Sequence, residues 1–120
     1  MHYKSEFTTT IIAHLKPLEP QLIMIFGSFA DNSHNQHSDI DIAFYSTHTI
    51  DNYTRWLTAQ NLARKLNIDV DLVDLKTAND VLKFQIASKG KIILNHKMDW
   101  FLDKCYTDYF TLNDDRQEIL

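Results

Sequence analysis

Two stretches decide how this chain folds: Gln21-Leu22-Ile23-Met24-Ile25-Phe26-Gly27-Ser28 and, ten residues later, Asp39-Ile40-Asp41-Ile42-Ala43-Phe44-Tyr45. The first is a short apolar run that stops at Gly-Ser. Its length and its isoleucine and phenylalanine content favour a buried strand. The second alternates an acid with isoleucine, the period-two signature of a strand with two unlike faces. Side chains two apart on a strand share a face. Asp39 and Asp41 therefore stand side by side, while Ile40 and Ile42 point the other way, into a core.

Outward from this pair, the chain alternates helices and strands. Phe7, Ile11, Ile12 and Leu15 recur at helical spacing, so residues 5–16 read as an amphipathic helix ended by Pro17 and Pro20. Residues 29–38, full of Asn, Asp, Ser and His, read as a loop, or a short helix and a loop. Residues 51–66 form a helix with Tyr53, Trp56, Leu57, Ala63 and Leu66 on one side. Ile68–Leu75 is a strand and Ala78–Ser88 a helix, with Gly90 a fitting residue just past its end. Lys91–Leu94 supplies a fourth short strand. The tail from Met98, with Trp100, Phe101, Tyr106, Tyr109 and Phe110, is a last helix. Such an order predicts an α/β layer domain, and 120 residues suffice for one domain, spanning 1–120.

Composition narrows the function classes. A net charge of −4, from 12 basic and 16 acidic residues, argues against a general nucleic-acid binder, which carries a basic footprint. No apolar run approaches the roughly 18 residues of a membrane helix, and the first residues lack the apolar core of a secretory signal. The single cysteine, Cys105, cannot form an internal disulfide, so a cytoplasmic location is expected.

The chemistry is carried by three features together: Gly27-Ser28 at the end of one strand, Asp39-x-Asp41 opening the next, and Asp69-Val70-Asp71, with Asp74 nearby, in a third. Adjacent carboxylates repel unless a cation lies between them. All-oxygen ligands suit Mg²⁺, which uses a couple of carboxylates plus water and substrate phosphates. A further carboxylate from the neighbouring strand would complete a two-metal site for displacement at phosphorus. Asp69 and Asp71 share a face and both are candidates; Asp74 is out of phase, a solvated residue or helix-cap partner. Glycine lets a backbone approach a ligand closely. If residues 28–34 open a helix, its first N–H groups and the Ser28 hydroxyl face a phosphate. Ser28 as a simple helix cap is the same geometry, and sequence does not separate the two.

Gly27-Ser28, ten residues, then Asp39-x-Asp41 resembles the G-S-x10-D-x-D signature of the polymerase-β-like nucleotidyltransferase superfamily, and most of all its small MNT-type proteins. Val70-Asp71-Leu72-Val73 is similar to the segment that carries the family's third aspartate. The likeness covers about residues 20–76. It implies the nucleotidyltransferase fold, an α/β (α+β) arrangement of a small mixed sheet flanked by helices. It also implies Asp39, Asp41 and Asp71 as catalytic and metal-binding residues, Gly27 and Ser28 as nucleotide-binding residues, two Mg²⁺ ions as cofactor and ATP as substrate. MNT-type proteins of this size are often antitoxins of HEPN-domain ribonuclease toxins, which they silence by transferring AMP to a tyrosine. That is the function the resemblance implies. Two others stay open: a non-catalytic antitoxin that masks its toxin, and a small-molecule nucleotidyltransferase, aminoglycoside-like, whose substrate-binding part is a separate subunit. The chain departs from the pattern at Phe29, where relatives often carry Arg or Tyr, and in lacking a glycine within the ten-residue loop.

The remaining chemistry-bearing residues have plainer readings. His34 and His37 lack a third ligand at zinc spacing and read as surface loop residues. Cys105 reads as a small core residue. Trp100, Phe101, Tyr109 and Phe110 read as core, a fraction of them as a surface for a partner.

Overall fold

The computed structural model describes residues 2–31, 33, 35 and 38–119, with side chains over 6–31, 33, 35 and 38–112. His34 and His37 lie outside the described residues. The elements run α1 (His2–Leu15), β1 (Pro20–Phe26), β2 (Ile40–Ser46), α2 (Asn52–Leu66), β3 (Val70–Asp74), α3 (Asp80–Lys89), β4 (Lys91–Asn95) and α4 (Asp99–Ile119). Four strands form one sheet in the order β3-β2-β1-β4. β1 pairs antiparallel with β2 and β4, while β2 and β3 are parallel. The parallel pair follows from α2, which carries the chain from the end of β2 back to the start of β3; parallel neighbours need such a crossover. The sheet is therefore mixed, as the resemblance implied.

Both faces of the sheet are covered. Ile40, Ile42 and Phe44 of β2 are fully buried and meet Ile11 and Leu15 of α1 and Ala59 and Leu62 of α2. Leu22 and Met24 of β1, with Ala43, face Ile86 of α3, Met98 just before α4, and Phe101 and Cys105 of α4. Alternation along β1 and β2 thus feeds two cores, which fixes register: a one-residue slip would exchange the faces. Cys105 is a buried free thiol, the small core residue the sequence suggested.

Local signals place the helices. The Asp51 carboxylate accepts from the Thr54 N–H at 2.7 Å and the Asn79 carboxamide from the Leu82 N–H at 2.8 Å, each satisfying an orphan donor of a first turn. Asn67, in the left-handed region at φ 57°, ends α2 with its N–H bonded to the Ala63 carbonyl.

Two expectations need correction. The apolar side of α2 is only partly the one the sequence suggested: Leu66 packs against the core, but Tyr53 and Trp56 are 66% and 56% exposed, and the buried residues are Ala59 and Leu62. The face is set by the phase that buries Leu62, not by the size of the rings. Asp74 is not solvated; it is buried, and its carboxylate accepts from the Lys76 N–H at 2.9 Å, closing the turn after β3. Of the alternatives left open after β1, the structure has the short one: Gly27–Phe29 is one turn of 3₁₀ helix, and among the described residues it goes no further.

Candidate functional site

The site lies where β1 ends and β2 and β3 begin. Asp41 is in register with Asp71 on β3 and with Phe26 on β1. Neighbouring strands are roughly 4.8 Å apart, so the two aspartates stand side by side on one face. Asp39 precedes Asp41 by two residues on the same side. The Ile40 N–H donates to the Asp69 carbonyl at 2.9 Å, which pins the start of β2 to the start of β3 and holds this register.

The acids at this end of the sheet are coupled through their charges. Burial pushes the Asp41 carboxyl above the ordinary carboxylate range, and the negative charges of Asp71 and then Asp39 push it further the same way. Asp69 is not among these causes, so of the two β3-side candidates the one coupled to Asp41 is Asp71. Among the described residues, no cation and no hydrogen-bond donor compensates Asp39, Asp41 or Asp71; the ion pairs lie elsewhere, at Glu19–His48, Asp80–Lys83 and Lys104–Asp108.

Gly27 brings the other half of the site against this cluster. It has φ +70°, a conformation glycine adopts freely. A Cβ on it would collide with the Asp41 carboxylate. The strand-to-turn corner can therefore touch Asp41 only if residue 27 has no side chain. Beyond it the Ala30 and Ser33 N–H groups bond to the Gly27 and Ser28 carbonyls at 3.0 Å each. The Ser28 hydroxyl caps nothing among the described residues, so the cap reading of Ser28 has no bond behind it. Phe29 packs edge-on against Phe7, ring centroids 6.4 Å apart, and joins the core beneath the turn. The departure from Arg or Tyr at this position thus has a packing role.

The donor set suits a hard divalent cation: it is all oxygen, uncompensated and mutually repulsive. It is not a closed cage, because among the described residues no group of three Asp, Glu, His or Cys side chains converges at metal-holding geometry. Mg²⁺ does not need one; it takes one or two carboxylates and completes its shell with water and phosphate.

Beside Asp39 a cavity of about 470 Å³ opens between the start of β2, the start of β3 and the last turns of α2, lined by Ser38, Asp39, Gln60, Arg64, Asn67 and Asp69 among others. The sequence reading passed over Gln60, Arg64 and Asn67. Their signal was topological: a helix that returns from β2 to β3 must end beside the acids that open both strands.

Residues 9–99 match the family described as polymerase beta, nucleotidyltransferase. The chain is 42% identical over 102 residues to the protein adenylyltransferase MntA of Shewanella oneidensis, covering 83% of this chain and 73% of that protein. A crystal structure of a toxin–antitoxin with AMP-PNP contains a chain 40% identical, with a TM-score of 0.86 over 93% of this chain and 94% of that one. A chain from the complex of a tri-AMPylated Shewanella oneidensis HEPN toxin with its MNT antitoxin is 38% identical, with a TM-score of 0.80 over 96% and 93% of the two chains. The chain belongs to the polymerase beta nucleotidyltransferase family, whose substrate is a nucleotide.

Proposed function

We propose that this chain is an antitoxin nucleotidyltransferase that moves AMP from Mg-ATP onto a hydroxyl, a tyrosine's, of a HEPN-domain ribonuclease toxin and so neutralises it. The observation that carries the reading is the coupling of Asp41 to Asp71 and Asp39 beside a turn that only glycine can make there. The acceptor comes from the relatives: one is named a protein adenylyltransferase, and a similar antitoxin stands in complex with an AMPylated HEPN toxin. Tri-AMPylation of that toxin leads us to read transfer here as repeatable, more than one AMP per acceptor.

Each residue has a task in this reading. Asp39, Asp41 and Asp71 would hold Mg²⁺, two ions, which when bound neutralises phosphate charge and favours attack at phosphorus. The backbone N–H groups of the Gly27–Ser28 turn and the Ser28 hydroxyl bind the triphosphate and orient it. The acceptor hydroxyl attacks the α-phosphorus in line; its oxygen forms the new bond as the bond to pyrophosphate breaks. Asp71 takes the hydroxyl proton. The protein's contribution is position and preorganised charge rather than covalent chemistry. All of this takes place within one domain covering 1–120, in the cytoplasm, where ATP and a reduced Cys105 coexist. No described helix is long and apolar enough to cross a membrane.

The reading is tested by incubating the chain with Mg²⁺, ATP and its HEPN-domain partner and weighing the partner intact. Mass steps of one AMP, absent with Asp41→Asn, are expected. A partner neutralised with no added mass would instead establish masking.

A further inference from the structure

β3 carries Asp71 at the rim of the sheet. It is an outermost strand in the order β3-β2-β1-β4, paired on one side only. Such a strand leaves backbone groups unpaired along its free edge. The Ile40 N–H donates to the Asp69 carbonyl and the Leu75 N–H to the Phe44 carbonyl, so the odd-numbered residues here turn their peptide groups toward β2. The Leu72 carbonyl therefore points outward. The Asp74 carbonyl, on the same edge, accepts from the N–H groups of Thr77 and Ala78 in the turn that follows. The Leu72 carbonyl instead accepts from a side chain: Arg55 of α2 donates to it through Nη1 at 2.9 Å. Arg55 Nη2 donates to the Asn52 carboxamide oxygen at 3.4 Å, one turn earlier in the helix. The planar guanidinium thus has one prong on its own helix and one on the strand, a fork that a lysine does not offer.

This contact lies where the sheet is under load. Asp71 is in register with Asp41, and their like charges repel. β2 is held by β1 on its other side, whereas β3 is five residues long with no strand beyond it. β3 is therefore the strand that can give way. Arg55 opposes that movement from outside, at the residue next to Asp71. α2 packs on the sheet face opposite the carboxylates, so the grip is on the backbone of β3 and not on the acid. Arg55 is in none of the ion pairs among the described residues, which leaves its charge to this carbonyl.

We propose that Arg55 is a positioning residue for AMP transfer: by gripping the outer edge of β3 at Leu72 it keeps Asp71 beside Asp41 against their repulsion, so that both acids are in place for the divalent ion that enters with ATP. The inference rests on the reading of Asp71 as a ligand of that ion.

The first test uses neither metal nor partner, and follows amide hydrogen exchange at pH 7. In Arg55→Ala, exchange at Asp71 and Val73 should quicken about ten-fold, as expected for one lost hydrogen bond from a charged donor, while Ile23 and Ile25 of β1 keep their rates. In an Asp71→Asn background the same substitution should quicken Val73 much less, because a carboxamide does not repel Asp41. Equal quickening in both backgrounds makes the bond a structural one only and overturns the proposal. The second test adds Mg²⁺, ATP and the HEPN-domain partner. Arg55→Ala should need about ten-fold more Mg²⁺ for half-maximal transfer, the low end of what groups supporting metal ligands contribute. The KM for ATP at saturating Mg²⁺ should stay within about two-fold, since the Gly27–Ser28 turn is untouched. Arg55→Lys keeps one donor and should recover part of both effects; it carries the test if Arg55→Ala does not fold. An unchanged Mg²⁺ requirement, or a raised KM for ATP alone, also overturns the proposal. A wild type that adds no AMP refutes the function proposed above, and the exchange comparison then decides the role of Arg55 by itself.

Discussion

Gly27→Ala is the smallest change that should disable the site. Two costs add. Alanine at φ +70° is in the left-handed region, which costs about 1–2 kcal/mol for a residue with a Cβ. The new Cβ also falls on the Asp41 carboxylate, which must leave its rotamer at about 1 kcal/mol more. The sum is about 2–3 kcal/mol, and at roughly 4 °C per kcal/mol for a domain of 120 residues Tm should drop by about 10 °C. Transfer suffers more, because displacing Asp41 by an ångström from its place beside Asp71 costs about 100-fold in rate. The assay is thermal unfolding beside single-turnover AMP transfer. A double-mutant cycle isolates the collision: in an Asp41→Ala background the stability cost of Gly27→Ala should shrink to its backbone part, about 1–2 kcal/mol. Equal losses in both backgrounds, or wild-type transfer by Gly27→Ala, would refute the claim that the missing side chain at 27 makes room for Asp41.

Other outcomes follow from the same geometry. Asp41 is protonated more readily in the folded chain than in the unfolded one, so without divalent cation the native state loses stability as pH rises from the ordinary carboxylate range through the raised folded value. Asp41→Asn should therefore be more stable than wild type in EDTA at pH 7, by about 0.5 kcal/mol or less after solvent screening, and the gap should close at pH 4. A gap that widens toward pH 4 has the wrong sign. Ser28→Ala should raise the KM for ATP about ten-fold, the value of one hydrogen bond to a charged group, with Tm unchanged because the hydroxyl caps nothing among the described residues; an unchanged KM removes Ser28 from the phosphate site. Phe44→Ala should cost about 3–5 kcal/mol, since the ring is fully buried among both helices of its face; a loss below 1 kcal/mol in denaturant titration contradicts that core.

What the sequence disclosed was whatever short-range pattern dictates. Alternation in Asp39–Tyr45 placed Ile40 and Ile42 in the core and the two acids opposite them, because a strand's faces have a period of two. Gly-Ser at the end of β1 marked a corner, and the positive φ of Gly27 is the reason. Pairing of Asp71 and not Asp69 with Asp41 depends on interstrand register, a long-range property that the family resemblance, not spacing, supplied. The end of α2 is legible through Leu66, but its first turns are not, because Tyr53 and Trp56 outweigh Ala59 in size while contributing nothing to the core. Burial of Asp74 was hidden because a turn carboxylate that bonds its own backbone looks like any surface acid. The cavity at Gln60 and Arg64 could not be seen locally at all: it exists only once α2 has returned to the acidic end of the sheet.

The central claim is that acids from two strands share a nucleotide-borne divalent ion beside the Gly27 turn. Manganese in place of magnesium, added with AMP-PNP to the ¹⁵N-labelled chain, measures this directly, because its unpaired electrons broaden nearby amide resonances. Loss of the Gly27, Ser28, Asp41 and Asp71 signals at substoichiometric manganese, and their return in Asp41→Asn, is the predicted result. Broadening centred elsewhere, or unchanged by that substitution, would contradict it.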